Sequence, residues 1–219
     1  MKISKRLATV GKYTKGYNRL ADIGCDHGYL AIYAVLNNYV MEALCCDINE
    51  GPLLQAEGNI KLYGLEEKIK TLLNNGIKSI DADIFTICGM GGILIKEIIE
   101  AGFNEAKKAK RLILAPNNES YSLRKFLITN GFMITNEEYV FDKKYYSIIV
   151  CHYAGVTEEY TNDELEYGKL LLSSKNTDLK AHLQEKLRYF TNILAQQNNE
   201  ELKTKVEQIK GVIKKYYED

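Results

Sequence analysis

The stretch Leu20–Leu30, which reads Leu-Ala-Asp-Ile-Gly-Cys-Asp-His-Gly-Tyr-Leu, constrains the fold of this chain more than any other part of it. Its apolar start predicts a short buried strand, its glycines at 24 and 28 a tight turn, and the residues after them a helix. A second predicted strand, residues 41–47, ends on Asp47, about twenty residues beyond the turn. This order is typical of doubly wound α/β proteins that bind a nucleoside, because the acid contacts the ribose hydroxyls.

The middle of this turn indicates which nucleoside binds. A dinucleotide site has the pattern G-x-G-x-x-G, in which the second glycine lets the backbone approach a pyrophosphate. Asp26 occupies that place here. A helix N-terminus contributes only about 0.3–1 kcal/mol toward an anion, so a carboxylate facing two phosphates is unfavourable. Asp22 and Asp26 therefore favour a phosphate-free cationic ligand such as S-adenosylmethionine, although the same residues are also compatible with a plain turn between strand and helix.

The remaining apolar patterns divide the 219 residues into two parts. Residues 1–156 predict five β–α units followed by a strand hairpin, and therefore a mostly parallel α/β sheet of seven strands. Residues 157–219 carry no strand pattern. Leucines recur there at helical spacing from Leu179 to Leu194, and apolar residues do so again from Leu202 to Tyr216. We expect an antiparallel, coiled-coil-like helical hairpin, which either grips a partner or mediates self-association.

Composition excludes several classes of site. The five cysteines form no C-x-x-C pair and the three histidines show no ligand spacing, so we expect neither a metal site nor disulfides. Net charge is zero, yet the first 21 residues contain six basic residues and no acid. This segment is a candidate phosphate contact or a solvated amphipathic helix. With no signal peptide and no membrane-spanning apolar run, the sequence predicts a cytoplasmic protein.

Other unusual residues follow the predicted strands at their carboxyl ends, where open α/β sheets bind ligands. Asn75-Gly76 follows the third strand, where the amide would suit an adenine amino group or simply form a turn. Gly89-Met90-Gly91-Gly92 follows the fourth strand and would let the backbone approach a ligand. Pro116-Asn117 follows the fifth. We expect these segments to line one site together with residues 22–28 and Asp47.

Absent motifs narrow the reaction further. Methylation of the adenine amino group usually comes with an Asn/Asp-Pro-Pro-aromatic turn after the fourth strand. This chain has only two prolines, Pro52 and Pro116, and they are not adjacent. Neither proline precedes a cysteine, so the Pro-Cys nucleophile of pyrimidine C5 methylation is absent too. Cys151 and His152 are neighbours on a predicted strand and would point to opposite faces, which disfavours a Cys–His nucleophile.

Together these motifs resemble one family. The segments Asp22-Ile23-Gly24-x-Asp26-His27-x-Tyr29-Leu30, Asn75-Gly76, Gly89-Met90-Gly91-Gly92 and Leu114-x-Pro116-Asn117, with the closing helical hairpin, are similar to the bacterial tRNA (adenine-22-N1)-methyltransferases, the TrmK family. The likeness spans nearly the whole chain. Departures from the family pattern are Cys25 for Ser, Asn75 for Asp, Cys88 for Ala and Ala115 for Gln.

The resemblance implies a class I, Rossmann-like methyltransferase fold, S-adenosyl-L-methionine as methyl donor and tRNA as acceptor. From the chemistry of this transfer we hypothesise that Asp26 stabilises the methylated cationic base, that Tyr29, with Tyr145 or Tyr146 as alternatives, receives the flipped adenine, and that Asn117 bonds the base edge. The expected cofactor-binding residues are Asp22, Gly24, Cys25, Asp26, His27, Gly28, Asp47, Ile48, Asn75, Gly76, Gly89, Met90 and Gly91. The expected RNA-binding residues are Lys2, Lys5, Arg6, Lys12 and Lys15.

Two other functions stay open on sequence alone. A nucleotide-cofactor oxidoreductase would need a glycine at the position of Asp26, and a titration with NAD against S-adenosylmethionine distinguishes it. A non-catalytic RNA-binding or scaffold protein with a methyltransferase-like fold would bind tRNA without methyl transfer. For the methyltransferase we expect a monomer rather than a dimer, with no membrane partner.

Overall fold

The computed structural model describes residues 1, 3–197 and 199–218. These residues form two compact units, Met1–Glu159 and Tyr160–Asp219. The strands, all in the first unit, are β1 (Tyr17–Ile23), β2 (Val40–Asp47), β3 (Ile69–Leu73), β4 (Ile84–Cys88), β5 (Arg111–Ala115), β6 (Phe132–Asp142) and β7 (Lys144–Tyr153). The helices of this unit are α1 (Lys5–Lys12), α2 (Tyr29–Leu36), α3 (Glu50–Leu62), α4 (Gly92–Ala101), α5 (Phe103–Lys108) and α6 (Ser120–Thr129).

In the part of the chain that the structure describes, the seven strands form one sheet in the order β3-β2-β1-β4-β5-β7-β6. β1 to β5 pair in parallel, whereas β7 runs antiparallel to both of its neighbours. The strand order reverses between β1 and β4, and such a switch point opens a crevice at the carboxyl ends of the strands. β6 runs in the same direction as β5, so the β6–β7 turn lies at that same edge.

The residues around the switch point are strongly apolar, and this fixes the strands there. Residues 20–23 of β1 are buried because β2 and β4 flank the strand and helices cover the sheet. α2 is apolar on nearly every side, and five of its eight residues are buried. A helix of this kind packs in the core rather than at the surface. β1 and the glycine turn after it are thus held on a rigid base.

The predicted fold class and seven-stranded sheet are confirmed. The apolar runs predict strands over residues 69–73, 84–88 and 111–115, and β3, β4 and β5 have these bounds. β1 and β2, predicted over 19–23 and 41–47, begin two residues and one residue earlier. The sequence reasoning missed α5. Gly102 separates it from α4, and a Cβ at that position would collide with Ile77. Glycine therefore lets the chain pass close to Ile77 before the second short helix starts.

The second unit is helical throughout its described residues. It contains α7 (Asn162–Tyr167), α8 (Lys169–Ser173), α9 (Thr177–Leu194) and α10 (Glu200–Tyr217), and α9 packs against α10. The side chains of Asn176 and Asn199 cap the two long helices by accepting from the N–H groups of Leu179 and Leu202. α7 and α8 were not predicted, although Thr161 and Glu164 form a capping box that the sequence T-x-x-E signals.

A buried ion pair fixes the β6–β7 hairpin to α6. Nε of Arg124 donates to Oε1 of Glu137 at 2.7 Å, and both side chains are fully buried. Nη2 of Arg124 also donates to Oγ of Ser147 on β7 at 2.9 Å. One guanidinium thus connects a helix to both strands of the hairpin. Two charges buried together depend on each other, because either one alone is expensive to desolvate.

We predict that Arg124→Met destabilises the protein by about 3–5 kcal/mol, because it leaves the Glu137 carboxylate buried without its partner. The double variant Arg124→Met/Glu137→Leu should recover most of the loss, since neither charge remains. Urea unfolding followed by circular dichroism measures both. A double variant no more stable than the single one would contradict the role assigned to the buried charge.

Candidate active site

A cleft of about 340 Å³ opens at the carboxyl ends of β1, β2 and β4. This volume lies within the range of small-molecule sites. The residues that line it come from α1, from β1 and the turn after it, from the start of α2, from the end of β2, and from the end of β4 with its loop: Arg6, Leu7, Asp22, Gly24, Cys25, Asp26, His27, Tyr29, Leu30, Asp47, Cys88, Gly89 and Met90. The cleft therefore occupies the switch point of the sheet.

Asp22 forms the floor of the cleft. It is 4% exposed, and its Oδ1 accepts a hydrogen bond from Oγ1 of Thr86 at 2.7 Å. Burial raises the pKa of this carboxyl from 3.8 to about 7, against the Thr86 hydrogen bond and the nearby Arg6 charge, which both lower it. A positive charge that enters the cleft would stabilise the ionised form of this carboxyl, because it compensates the negative charge.

The glycine turn after β1 is held on both sides. The N–H groups of Gly24 and Cys25 both donate to the carbonyl of Cys46 on β2, at 2.8 and 3.1 Å. Gly24 has a φ of +68°, a conformation that favours glycine, and a Cβ at this position would displace the Met90 methyl group that lies against it. The turn and the β4 loop therefore touch across the cleft.

Asp26 and His27 form the outer part of the turn. Asp26 adopts a left-handed conformation with a φ of +50°, which aspartate tolerates better than most residues. Its side chain is 74% exposed, and Oδ2 lies 3.6 Å from Nε2 of His27. The His27 ring stacks on Tyr29 with centroids 5.3 Å apart. The mouth of the cleft thus presents a carboxylate beside two stacked rings.

Asp47 ends β2 at the other side of the turn. Its Oδ1 accepts from the backbone N–H of Asn49 at 3.0 Å, which fixes the direction of the carboxylate. Its neighbour Ile48 is 63% exposed and does not line the cleft. Asp47 is positioned to accept hydrogen bonds from vicinal hydroxyls, as the acid after the second strand does in nucleoside-binding sheets.

Asn117 holds the loop after β4. Its Nδ2 donates to the carbonyl of Gly89 at 2.6 Å, and its backbone N–H donates to the carbonyl of Met90 at 2.8 Å. Asn117 does not line the cleft. The Asn117 side chain, which the sequence predicts to bond the edge of the base, therefore donates its amide to the loop after β4. It positions Gly89 and Met90, which do line the cleft.

Arg6 of α1 closes the cleft opposite the turn. Its Nη1 is buried and has no hydrogen-bond partner among the described residues. Its Cζ lies 4.9 Å from the Tyr146 ring centroid, and its backbone N–H donates to Oδ2 of Asp142 at 2.9 Å. A buried donor left without a partner costs about 1–3 kcal/mol, so this atom is suited to an anionic group of a ligand.

The structure brings together most of the predicted cofactor residues but not all of them. Asp22, Gly24, Cys25, Asp26, His27, Asp47, Gly89 and Met90 line the cleft, as does Tyr29. The predicted residues that do not line it are Gly28, Ile48, Asn75, Gly76, Gly91 and Asn117. Gly28 instead lies against Ala56 and Cys45, and Gly91 against Asn118. Gly28 and Gly91 thus pack against neighbouring residues and do not face the cleft.

The predicted RNA-binding residues separate into different environments. Lys5 and Lys12 are exposed on α1 and Lys15 is exposed in the turn that follows, whereas Arg6 faces the cleft. Lys2 lies outside the described residues. Sequence reasoning assigned Arg6 to RNA rather than to the cleft, and it did not name Leu7, Leu30 or Cys88 as site residues. Cys88 could have been found, because it ends a predicted strand at the edge of the sheet where ligands bind. Arg6 and Leu7 lie on α1, which precedes the first strand, and no spacing rule places such a helix relative to the sheet.

Three cysteines, Cys46, Cys88 and Cys151, are poorly suited to act as nucleophiles. Burial raises the pKa of Cys46 and of Cys88 to about 12, with the nearby Asp22 carboxylate contributing in the same direction. Burial also raises the pKa of Cys151, which is fully buried in β7. These thiols stay protonated at neutral pH, and a thiol is a poor nucleophile. All five cysteines are unpaired with one another.

The described residues contain neither a metal-binding cluster nor a membrane-spanning helix. No group of three or more histidine, cysteine, aspartate or glutamate side chains within them is arranged to hold a metal ion. No described helix combines the length and the apolar character needed to cross a membrane.

Comparison with known proteins gives one consistent result. The model of the TrmK family, tRNA (adenine(22)-N(1))-methyltransferase, matches residues 20–218. The chain is 36% identical over 175 residues to the tRNA (adenine(22)-N(1))-methyltransferase of Bacillus subtilis (strain 168), covering 78% of this chain and 74% of that relative.

Two solved structures share the whole fold. The Streptococcus pneumoniae protein Sp1610, solved with S-adenosyl-L-methionine, is 31% identical with a TM-score of 0.87 and covers 97% of this chain and 100% of that one. TrmK of M. capricolum, solved with S-adenosyl-homocysteine, is 31% identical with a TM-score of 0.84 and covers 99% of this chain and 100% of that one.

The buried carboxyl predicts a pH-dependent stability. The folded protein holds the Asp22 proton up to about pH 7, whereas the unfolded chain releases it near pH 3.8. Wild-type stability should therefore fall as pH rises between these values. Asp22→Asn keeps an oxygen for Thr86 but cannot ionise, so we expect it to gain up to about 4 kcal/mol over wild type between pH 4 and pH 8.

Urea unfolding of the ligand-free proteins at several pH values measures this gain. Thr86→Val serves as the control, because it removes the hydrogen bond and leaves the titrating group in place. An Asp22→Asn variant whose stability relative to wild type does not change with pH would contradict the assignment.

Proposed function

The chain belongs to the TrmK family, and we propose that it transfers a methyl group from S-adenosyl-L-methionine to N1 of adenine 22 in tRNA. The proposal rests on one observation: the same cleft contains a buried acid, Asp22, and a buried guanidinium nitrogen of Arg6 that has no hydrogen-bond partner among the described residues. The amino-acid part of the cofactor has an ammonium and a carboxylate, so it offers each of these groups an opposite charge.

The remaining cleft residues fit the same ligand. Asp47 accepts hydrogen bonds from the ribose hydroxyls, as an acid after the second strand does in this class of sheet. Asp22 compensates the positive charge of the ammonium and sulfonium groups. Arg6 donates to the carboxylate, and we therefore assign it to the cofactor rather than to RNA. A pyrophosphate in the same place would face three carboxylates, which disfavours a dinucleotide.

The chemistry requires little from the protein beyond positioning. The bound cofactor supplies an electrophilic methyl group on a sulfonium sulfur. N1 of adenine has a lone pair and needs no base to become a nucleophile, so catalysis comes from alignment and from the exclusion of water. Asn117 acts as a positioning residue, because its amide holds Gly89 against the cleft.

Two residues at the mouth of the cleft are proposed to contact the base. The Tyr29 ring, 41% exposed and stacked on His27, offers a face on which an extruded adenine can stack. The Asp26 carboxylate stabilises the methylated base, which is cationic until it loses an amino proton. The exposed lysines of α1 and the helices of the second unit are proposed to hold the body of the tRNA, with the protein acting as a monomer in the cytoplasm.

Direct methyl transfer tests the function. Unmodified tRNA is incubated with the protein and methyl-labelled S-adenosylmethionine, and the modified base is mapped by reverse-transcription stops. We expect one stop at adenine 22 and none in a tRNA that carries guanine there. Label at another position, or none in either tRNA, would contradict the proposal.

We predict that Arg6→Gln weakens S-adenosylmethionine binding roughly 10- to 150-fold, because a hydrogen bond to a charged group contributes about 1.5–3 kcal/mol. Calorimetry measures the affinity. 5′-Methylthioadenosine, which lacks the amino-acid part, should bind wild type and variant equally. Lys5→Gln, a change at the neighbouring exposed position, should leave both affinities unchanged. Equal losses for both ligands in Arg6→Gln would contradict a contact with the carboxylate.

A further inference from the structure

The tip of the β6–β7 hairpin carries a ladder of aromatic rings. Tyr139 stacks on Tyr145 with centroids 5.4 Å apart and planes at 17°. Phe141 lies beside Tyr145, with centroids 5.0 Å apart and planes tilted by 60°. Phe141 is 50% exposed, so about half of this outermost residue is open to solvent. An apolar ring supported by two others and open on its outer side is a platform rather than part of a core.

The rings lie on one face of the hairpin for a simple reason. Side chains alternate along a strand, so residues 139 and 141 of β6 share a face with Glu137. Phe141 pairs with Tyr145 across the two strands. Glu137 and Ser147 both bond Arg124 of α6, so the ladder stands on the α6 side of the sheet. The buried ion pair therefore keeps the ladder in place.

The ladder lies at the same edge of the sheet as the cleft. β6 runs parallel to β5, so its last residue, Asp142, is at the carboxyl ends of the strands. Asp142 accepts from the Arg6 backbone N–H, and the Arg6 guanidinium lies over Tyr146 and lines the cleft. The hairpin tip and the proposed active site thus share one residue.

Two lysines lie in the turn next to the platform. Lys143 and Lys144 are exposed there, and Lys144 lies on the opposite face of the hairpin from Phe141, with its Nζ 5.0 Å from the Tyr146 ring centroid. Hydrogen bonds from the Arg6 backbone and from Ser4 lower the pKa of Asp142, so its single negative charge is held against α1. An exposed ring next to a turn with two cations suits one nucleotide, since the ring stacks on the base and the cations at the tip attract its phosphate.

We propose that Phe141 and its two supporting tyrosines bind an unpaired base of the tRNA next to the adenine that enters the cleft, and that Lys143 and Lys144 contact the adjoining phosphate. This inference rests on the proposed function and adds a second base-binding site to it. Stacking on this platform would hold the strand open beside the target nucleotide. It would also make Tyr145 a support for this neighbouring base, and not the receptor of the adenine.

Equilibrium binding of unmodified tRNA tests the platform without methyl transfer. Fluorescence anisotropy is measured in the presence of S-adenosylhomocysteine. Loss of one stacked base costs roughly 5- to 150-fold in affinity, and this is the loss that we expect for Phe141→Ala. Phe141→Trp should bind like wild type because it keeps a stacking face. Phe141→Leu, apolar but without a ring, should lose affinity as Phe141→Ala does.

Matched controls separate stacking from other effects. Tyr63, an aromatic residue 39% exposed, follows α3 at the opposite edge of the sheet, and Tyr63→Ala should leave tRNA affinity unchanged. S-Adenosylmethionine affinity should be the same in all four variants. The double variant Lys143→Gln/Lys144→Gln should lower the slope of log affinity against log salt by about 1, whereas Phe141→Ala should leave that slope unchanged.

The outcomes distinguish this inference from the proposed function. If Phe141→Ala binds tRNA like wild type, if Phe141→Leu restores binding, or if Tyr63→Ala loses as much, the platform is wrong, even when adenine 22 is methylated. A second outcome is that only Phe141→Ala and Phe141→Leu bind tRNA more weakly than wild type, while wild type methylates a base other than adenine 22. The platform then stands and the proposed function is wrong. A wild-type protein that does not bind tRNA would overturn both.

Discussion

Burial of the Asp22 carboxyl at the end of β1 is the interaction on which the site depends. The sheet places this group between β2 and β4, where it is almost completely removed from water. One hydroxyl, from Thr86, compensates it directly. A carboxyl so placed is costly to ionise and strongly favours a cation within reach. The fold thus maintains an acid that becomes fully compensated only when a positively charged ligand enters.

Arg6 supplies the opposite charge, and it connects three parts of the first unit. Its side chain borders the cleft and lies over Tyr146, while its backbone is tied to Asp142 in the hairpin turn. The proposed cofactor site and the hairpin are therefore joined through one residue of α1. In turn, the Arg124–Glu137 pair fixes the hairpin to α6. This pair holds the base of the aromatic ladder, and Phe141 is its most exposed ring.

Much of the fold follows from local patterns. β3, β4 and β5 are short apolar runs that end at turn residues, so their bounds could be read directly. The glycine turn and Asp47 could be placed because their spacing is set by one strand, one helix and a second strand. Residues such as Asn75 and Asn117 were harder. Both follow strands as expected, but neither lines the cleft, and the amide of Asn117 donates to the Gly89 carbonyl instead. The direction of such a side chain depends on which neighbouring carbonyl it meets.

The sequence by itself determined the doubly wound sheet, the turn at residues 24–28 and the acids on either side of it, because periodicity and fixed spacings encode them locally. Only the tertiary structure decided that Arg6 faces the cleft, that Asn117 supports Gly89, and that Phe141 ends a ladder of rings. Each of these depends on a contact between segments far apart in the chain, and no local pattern records which distant segment will pack there.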